Sequence, residues 1–373
     1  MVFQQIGYIG QAEGNFKEGL EIAQQMNNAE YISKLAGSLA GLELRRHDLE
    51  QTDKYAHASI EAAQTLQTGQ LQDELVVKGS ITLGLTSMYR GNLEQAATNL
   101  EKSLHIARHL EQRDLLSMVL INLGTVTSLQ NKFAQAVGYF EEALALSREI
   151  QMQEHTVGLL ANLCKVATLQ QNFTQAEGYL AEGLTIARKI EHPLVLCNIL
   201  SIGAELYINQ GKWKSGADFF DESIEIGRKI NSPDVILNSL NGLIDVAVNY
   251  DPTVISGPIS DYHQEALALA KQLDEPLLLI HTLCVGGEAY LHNNEVTAAE
   301  DSFSQALTMT EKVDSPEWAA AVHFGVARVN ALNGNFEQAR MHAENSLAIF
   351  ERIGHVKASK VKSWLEEFAH QES

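Results

Sequence analysis

One segment of this chain is repeated forty residues further along the sequence. Residues 123–150 read LGTVTSLQNKFAQAVGYFEEALALSREI, and residues 163–190 read LCKVATLQQNFTQAEGYLAEGLTIARKI. A fixed period of this size is typical of repeat architectures, in which a small unit stacks on its neighbours because it buries too little apolar surface alone. The period therefore predicts a stacked array rather than a single globular core.

The same period covers most of the chain when it is aligned on the bulky residue after each turn. These residues are Leu93, Phe133, Phe173, Trp213, Val296 and Phe336. The number of residues between neighbouring positions is constant except from Trp213 to Val296. That interval is about two periods long, which leaves room for one irregular unit. At the N-terminus, the step from Phe16 to Leu49 is shorter than the others. We therefore expect about nine units.

Small residues recur at two places in each unit. Nine residues before the bulky residue stand Gly7, Ala40, Gly84, Gly124, Cys164, Ala204, Gly287 and Ala327, and three residues after it stand Ala96, Ala136, Ala176, Gly216, Ala299 and Ala339. Gly or Asn in the turns between them can adopt the left-handed conformation that ends a helix. Pro193, Pro233, Pro276 and Pro316 fit the first turn of a helix. Each unit is thus predicted to be a helical hairpin packed through small residues.

The pattern resembles the tetratricopeptide repeat family. With Gly124 at position 8 of the family pattern, the matching residues are Leu120, Leu123, Gly124, Thr127, Ala136, Phe140 and Ala143. The resemblance implies an all-α solenoid, a right-handed superhelix of about nine antiparallel helical hairpins plus a C-terminal capping helix. Units of this length, longer than the common 34, look like those of the sensor domains of bacterial signal-transduction ATPases.

The predicted solenoid covers residues 1–353, and residues 354–373 form the capping helix. An irregular unit at about 231–273 contains the loop 250–262, which is either a drifted turn or a loop that contacts a partner. Because the first helix begins without a polar cap before Phe3 and Ile6, we expect the chain to be the C-terminal part of a longer protein.

Composition limits the function. A net charge of -20 and a pI of about 5.0 disfavour a nucleic-acid ligand. Three isolated cysteines indicate a reducing compartment, and the absence of a signal or long apolar run argues against a membrane span, so we expect a cytoplasmic protein. No phosphate-binding, dinucleotide or zinc-protease motif occurs in the sequence. We therefore expect no catalysis, no cofactor and no metal.

The resemblance places certain positions of each first helix on the concave groove. The candidate ligand-binding residues there are Lys165, Asn198, Glu205, Asn238, Asn241, Asp245, His281, Glu288, His292 and Arg328. Three of them, Glu205, Asp245 and Glu288, form an acidic ladder that could hold a cationic group, although in so acidic a chain they could equally be solvated surface. His281, Glu288 and His292 spread over three turns, which does not suit a metal site.

The sequence therefore predicts a non-catalytic domain that binds a protein or peptide, with basic groups on the ligand as one option. By resemblance, it is the sensor region of a larger bacterial signal-transduction protein. The alternative is a free-standing adaptor that scaffolds a protein complex. The motifs are specific for fold, whereas the residues that vary between units must encode what is bound.

Overall fold

The computed structural model describes residues 2–371, and the side chains of residues 12–369. This part of the chain contains eighteen α-helices, one 3-10 helix and no strand, which confirms the all-α class. The helices are α1 (Val2–Gln25), α2 (Ala29–Arg45), α3 (Leu49–Gln64), α4 (Gln70–Tyr89), α5 (Leu93–Ala107), α6 (Arg113–Leu129), α7 (Phe133–Glu149), α8 (Gln153–Leu169), α9 (Phe173–Lys189), α10 (Pro193–Asn209), α11 (Trp213–Ile230), α12 (Pro233–Asn249), α13 (Ile259–Leu273), α14 (Pro276–His292), α15 (Val296–Thr310), α16 (Pro316–Leu332), α17 (Phe336–Arg352) and α18 (Ala358–Gln371).

The chain divides into two compact units, an N-terminal unit that ends at Ile202 and a C-terminal unit that begins at Gly203. In the N-terminal unit, α2 packs on α3, α4 on α5, α6 on α7 and α8 on α9. In the C-terminal unit, α12 packs on α13, α14 on α15 and α16 on α17, while α18 packs on α17. These seven predicted helical hairpins are thus confirmed.

The first predicted hairpin is wrong. Residues Val2–Gln25 form one continuous helix that runs through the turn expected just before Phe16. Gly14 is not among the residues with positive φ, so the helix does not end there. The side chains of Phe3 and Ile6, on which the expectation of a missing cap depends, lie outside the described side chains.

The small residues bring the two helices of a hairpin close together, as predicted. Ala136 and Ala299 are fully buried. A methyl group at Gly124 would lie 2.5 Å from the Phe140 ring, and one at Gly287 would lie 2.5 Å from the Phe303 ring. Because these distances leave no room for a side chain, the aromatic ring of the second helix packs directly on the backbone of the first helix in these two hairpins.

The turns within hairpins follow the sequence with one exception. Gly91, Asn131, Gly211 and Gly334 all have φ between 59 and 79. In the turn at residues 170–172, Gln171 takes this conformation with φ 57, and Asn172 instead caps α9 by accepting a hydrogen bond from the Gln175 N–H. Asn is better used as a cap there, because its short side chain reaches the free N–H groups of the first turn.

The irregular unit contains a shorter loop than predicted. Helix α13 already begins at Ile259, so the loop spans residues 250–258 rather than 250–262. A 3-10 helix at Pro252–Val254 buries Val254, which is 4% exposed, in the core of this unit. Asp251 holds the turn by accepting hydrogen bonds from the backbone and hydroxyl of Thr253. The loop is therefore anchored to the scaffold.

Candidate functional site

Two adjoining cavities lie in the C-terminal unit. The larger has a volume of about 460 Å³ and the smaller about 130 Å³, and both are lined by Val248, Asn249 and Glu288. The larger is also lined by Leu291, His292, Phe324, Arg328, Lys360, Ser363, Trp364 and Glu367, and the smaller by Asp245, His281, Cys284, Val285, Phe303, Trp318, Ala321 and Lys357. The first helices α12, α14 and α16 supply most of these residues, and α18 closes the larger cavity.

An ion pair connects two neighbouring first helices at the larger cavity. Arg328 on α16 donates from one guanidinium nitrogen to both carboxylate oxygens of Glu288 on α14, at 2.6 and 2.5 Å. The guanidinium also lies over the Phe324 ring, 5.7 Å from its centroid. Glu288 and Arg328 are one repeat apart in sequence and therefore occupy equivalent positions of successive units. Glu288 remains 35% exposed, so its carboxylate is accessible from the cavity.

Asp245 is the second carboxylate of the site. It lies on α12, where the Asn249 side chain donates to it at 2.9 Å. Its side chain contacts solvent, yet partial burial at the smaller cavity raises the pKa of Asp245 above its ordinary value. The nearby Glu288 carboxylate raises this pKa further. Lys357 and Lys360 oppose this shift by lowering the pKa. A cationic group placed beside Asp245 would stabilise the charged carboxylate, which restricted hydration disfavours.

His281 and Cys284 line the smaller cavity as neutral groups. Burial lowers the pKa of His281 to about 4, with Lys357 acting in the same direction. Its ring packs against Trp318 with centroids 4.8 Å apart. Burial likewise raises the pKa of the Cys284 thiol to about 12, so the reactive thiolate does not form at neutral pH. This arrangement suits the binding of a ligand group better than nucleophilic catalysis.

The structure brings together five of the ten candidate residues. Asp245, His281, Glu288, His292 and Arg328 line the two cavities. All five lie on first helices of the C-terminal unit, so the repeat places them on one surface.

The other five candidates lie elsewhere. Lys165 and Asn198 are exposed in the N-terminal unit, and Glu205 and Asn238 are exposed in the C-terminal unit without lining either cavity. Asn241 differs most from its expected place: it is 1% exposed and donates to the Thr282 hydroxyl at 3.1 Å. Buried polar groups need such partners, so its amide belongs to the packing of α12 on α14.

Several cavity residues were not identified from the sequence. Lys357 precedes α18, and Lys360, Ser363, Trp364 and Glu367 lie on it, where the sequence predicted a capping helix and no site residue. The sequence did contain an indication that α18 continues the repeat, because Cys284, Phe324 and Trp364 are each one repeat interval apart. Helix α18 thus behaves as the first helix of one more unit.

Neither a metal site nor a membrane span is found among the described residues. No group of three or more of their His, Cys, Asp and Glu side chains is arranged to hold a metal ion. None of the helices in residues 2–371 combines the length and apolar character that crossing a bilayer requires.

Comparisons with known proteins agree with the repeat pattern. Residues 79–149 match the tetratricopeptide repeat model. The sequence matches none of the curated proteins with which it was compared.

Solved structures extend the similarity beyond that segment. The Rap protein complexed with Competence and Sporulation Factor is 11% identical, with a TM-score of 0.62 over 93% of this chain and 99% of its own. Aspartyl phosphate phosphatase F from Bacillus subtilis is also 11% identical, with a TM-score of 0.58 over 94% of this chain and 95% of its own. At these identities the likeness concerns the fold alone.

A third structure contains a tetratricopeptide repeat sensor. It is a signal transduction ATPase with numerous domains and a tetratricopeptide repeat sensor, from Pyrococcus horikoshii. It is 15% identical, with a TM-score of 0.53, and the match covers 98% of this chain but only 54% of that protein. The match of residues 79–149 to the repeat model, the hairpins packed through small residues and the likeness to these structures together show that the described chain has a tetratricopeptide-type repeat fold.

Proposed function

We propose that this chain is a non-catalytic module that binds a peptide or a segment of a partner protein in the cavities of its C-terminal unit. The observation that carries the proposal is the presence of two accessible carboxylates, Glu288, which lines both cavities, and Asp245, which lines the smaller one. Carboxylates held in a concave, partly dehydrated place are suited to a Lys or Arg side chain or an N-terminal amine. Trp318, Phe324 and Trp364 supply apolar walls for the neighbouring part of such a ligand.

The structural relatives support a regulatory role. One of them is a Rap protein complexed with Competence and Sporulation Factor, and another is a Rap conjugation regulator in complex with the Phr* peptide. A third carries its repeats as the sensor of a signal transduction ATPase. We infer that binding in this chain biases the conformation of a larger bacterial signalling assembly, as a ligand does when it prefers one of two states. A free-standing adaptor is the alternative, and a fused ATPase segment in the same reading frame would decide for the sensor.

The binding proposal is tested with an array of twelve-residue peptides that vary in charge. The full chain should select peptides with Lys or Arg, and the double variant Asp245→Asn/Glu288→Gln should bind the selected peptides about tenfold or more weakly, because an interaction with a partly desolvated charge is lost. Affinity is measured by fluorescence anisotropy, and folding of each variant by circular dichroism.

Two controls sharpen this test. Asp301→Asn/Glu344→Gln removes the same charge from exposed positions on α15 and α17 that line neither cavity, and it should leave affinity unchanged. Glu205→Gln distinguishes binding in the cavities from binding along the whole acidic ladder, because Glu205 belongs to the ladder but lines neither cavity. If the two double variants weaken binding equally, general electrostatics and not the cavity attracts the ligand, and the proposal is wrong.

A further inference from the structure

Two lysines of the chain itself are directed to the acidic part of the site. Lys357 lines the smaller cavity together with Asp245 and Glu288, and Lys360 lines the larger one with Glu288. Both positive charges act on the Asp245 carboxylate. The C-terminal segment therefore places two positive charges near Asp245 on α12, while Glu288 on α14 is paired with Arg328 of α16.

The lysines belong to a segment that other contacts hold in place. Trp364 contacts Phe324 edge-on, with ring centroids 5.8 Å apart, and Phe368 contacts Phe336 at the same distance. Val361 is fully buried in the core that α18 shares with α16 and α17. Apolar packing thus fixes α18, and the lysine side chains can leave the cavities by rotating about their own flexible stems.

The two lysines are three residues apart, in the sequence Lys357, Ala358, Ser359, Lys360. This spacing places both side chains near one face where the helix begins. On the acceptor side stand two carboxylates, Asp245 on α12 and Glu288 on α14. Glu367 on α18 is a third carboxylate of the larger cavity, and Arg328 is a third cation, which is already paired with Glu288.

We propose that Lys357 and Lys360 occupy the site as an internal mimic of the ligand, and that the external partner is a peptide segment with two lysines three residues apart. This inference rests on the proposed function and adds its regulation and its ligand class. The external lysines must displace the internal ones, so the full chain binds with reduced affinity until Lys357 and Lys360 are moved or neutralised. Specificity follows from the same competition, because a ligand with a single positive charge replaces only one of the two internal charges.

The test uses the full chain and the tetrapeptide acetyl-Lys-Ala-Ser-Lys-amide, which copies the internal segment. Calorimetric titration should show about tenfold tighter binding to Lys357→Gln/Lys360→Gln than to the unchanged chain, because two competing charges have been removed. The gain should disappear when Asp245→Asn/Glu288→Gln is added. The same peptide with both lysines replaced by glutamate should not bind any variant.

The matched control is Lys312→Gln/Lys362→Gln. These lysines are exposed and line neither cavity, and Lys362 lies on α18, so the control changes net charge equally and leaves the cavities intact. Equal tightening in both double variants, or no binding of the tetrapeptide to Lys357→Gln/Lys360→Gln, would overturn the inference. The proposed function fails separately, when peptides from the array bind without any dependence on Asp245 and Glu288.

Discussion

Replacing Phe303 by alanine is expected to lower the free energy of unfolding by about 3–5 kcal/mol, the range typical of a large aromatic side chain removed from a core. Phe303 is 1% exposed. Its ring packs against the backbone of two first helices, since a methyl group at Gly287 would lie 2.5 Å from it and one at Gly325 would lie 2.2 Å from it. No neighbouring side chain at these glycines can move in to fill the space, so the cavity persists.

Urea unfolding followed by circular dichroism measures this change. Leu332→Ala is the control in the same unit, because Leu332 is 61% exposed and should cost less than about 0.5 kcal/mol, as is usual for surface changes. In a repeat protein the unfolding transition of the C-terminal unit need not coincide with that of the rest of the chain. Phe303→Ala should therefore shift the part of the unfolding curve that belongs to the C-terminal unit. Equal effects of the two substitutions would contradict the packing described for Phe303.

Acidification is expected to destabilise the C-terminal unit through His281. The pKa of His281 is lowered from 6.5 to about 4 in the folded chain by burial. The unfolded chain therefore binds a proton that the folded chain excludes, and stability falls as the pH decreases from about 6.5 towards 4, with no contribution above this window. At pH 5 the loss is about 2 kcal/mol, since one pH unit of differential protonation corresponds to about 1.4 kcal/mol. His263 is shifted in the same direction by burial and adds to the loss, because its pKa is also lowered.

Thermal unfolding at pH 7.5 and at pH 5 checks the histidine effect. The difference in melting temperature should be smaller in His281→Asn than in the unchanged chain, because the variant has no proton to take up at this position. His57 provides the comparison, since this histidine is exposed on α3 in the N-terminal unit. His57→Asn should leave the difference unchanged. If the melting temperature of His281→Asn depends on pH as that of the unchanged chain does, then burial of His281 is not the cause of the lower stability at acidic pH.

The repeat pattern predicted the helices and half of the candidate site, because both follow from the constant period. Glu288 and Arg328 are one period apart on successive first helices, and Asp245 takes the corresponding place in the irregular unit before them, so the repeat brings all three to one surface. Spacing could not reveal that Asn241 finds a hydrogen-bond acceptor in Thr282, since that depends on the relative rotation of α12 and α14.

The ends of the chain were predicted less well. At the N-terminus, a pattern of equivalent residues around Phe16 did not distinguish a turn from a continuous helix, and α1 continues through it. At the C-terminus, the sequence of α18 predicted a capping helix, and none of its residues was named as a site residue. In the structure, one face of this helix lines the larger cavity, and both Trp364 and Lys360 lie on that face. Charge density describes how much of a helix is polar, and not what its polar groups face.

Hydrogen–deuterium exchange on the full chain, with and without the best peptide from the charge-varied array, tests the central claim most directly. Binding in the cavities should protect amides near Asp245, Glu288 and Arg328, where α12, α14 and α16 line them. The amides of α18 near Lys360 should also change, because the peptide displaces the internal lysines. Protection confined to the N-terminal unit, with no change on α12, α14, α16 or α18, would contradict the assignment of the ligand site to the C-terminal unit.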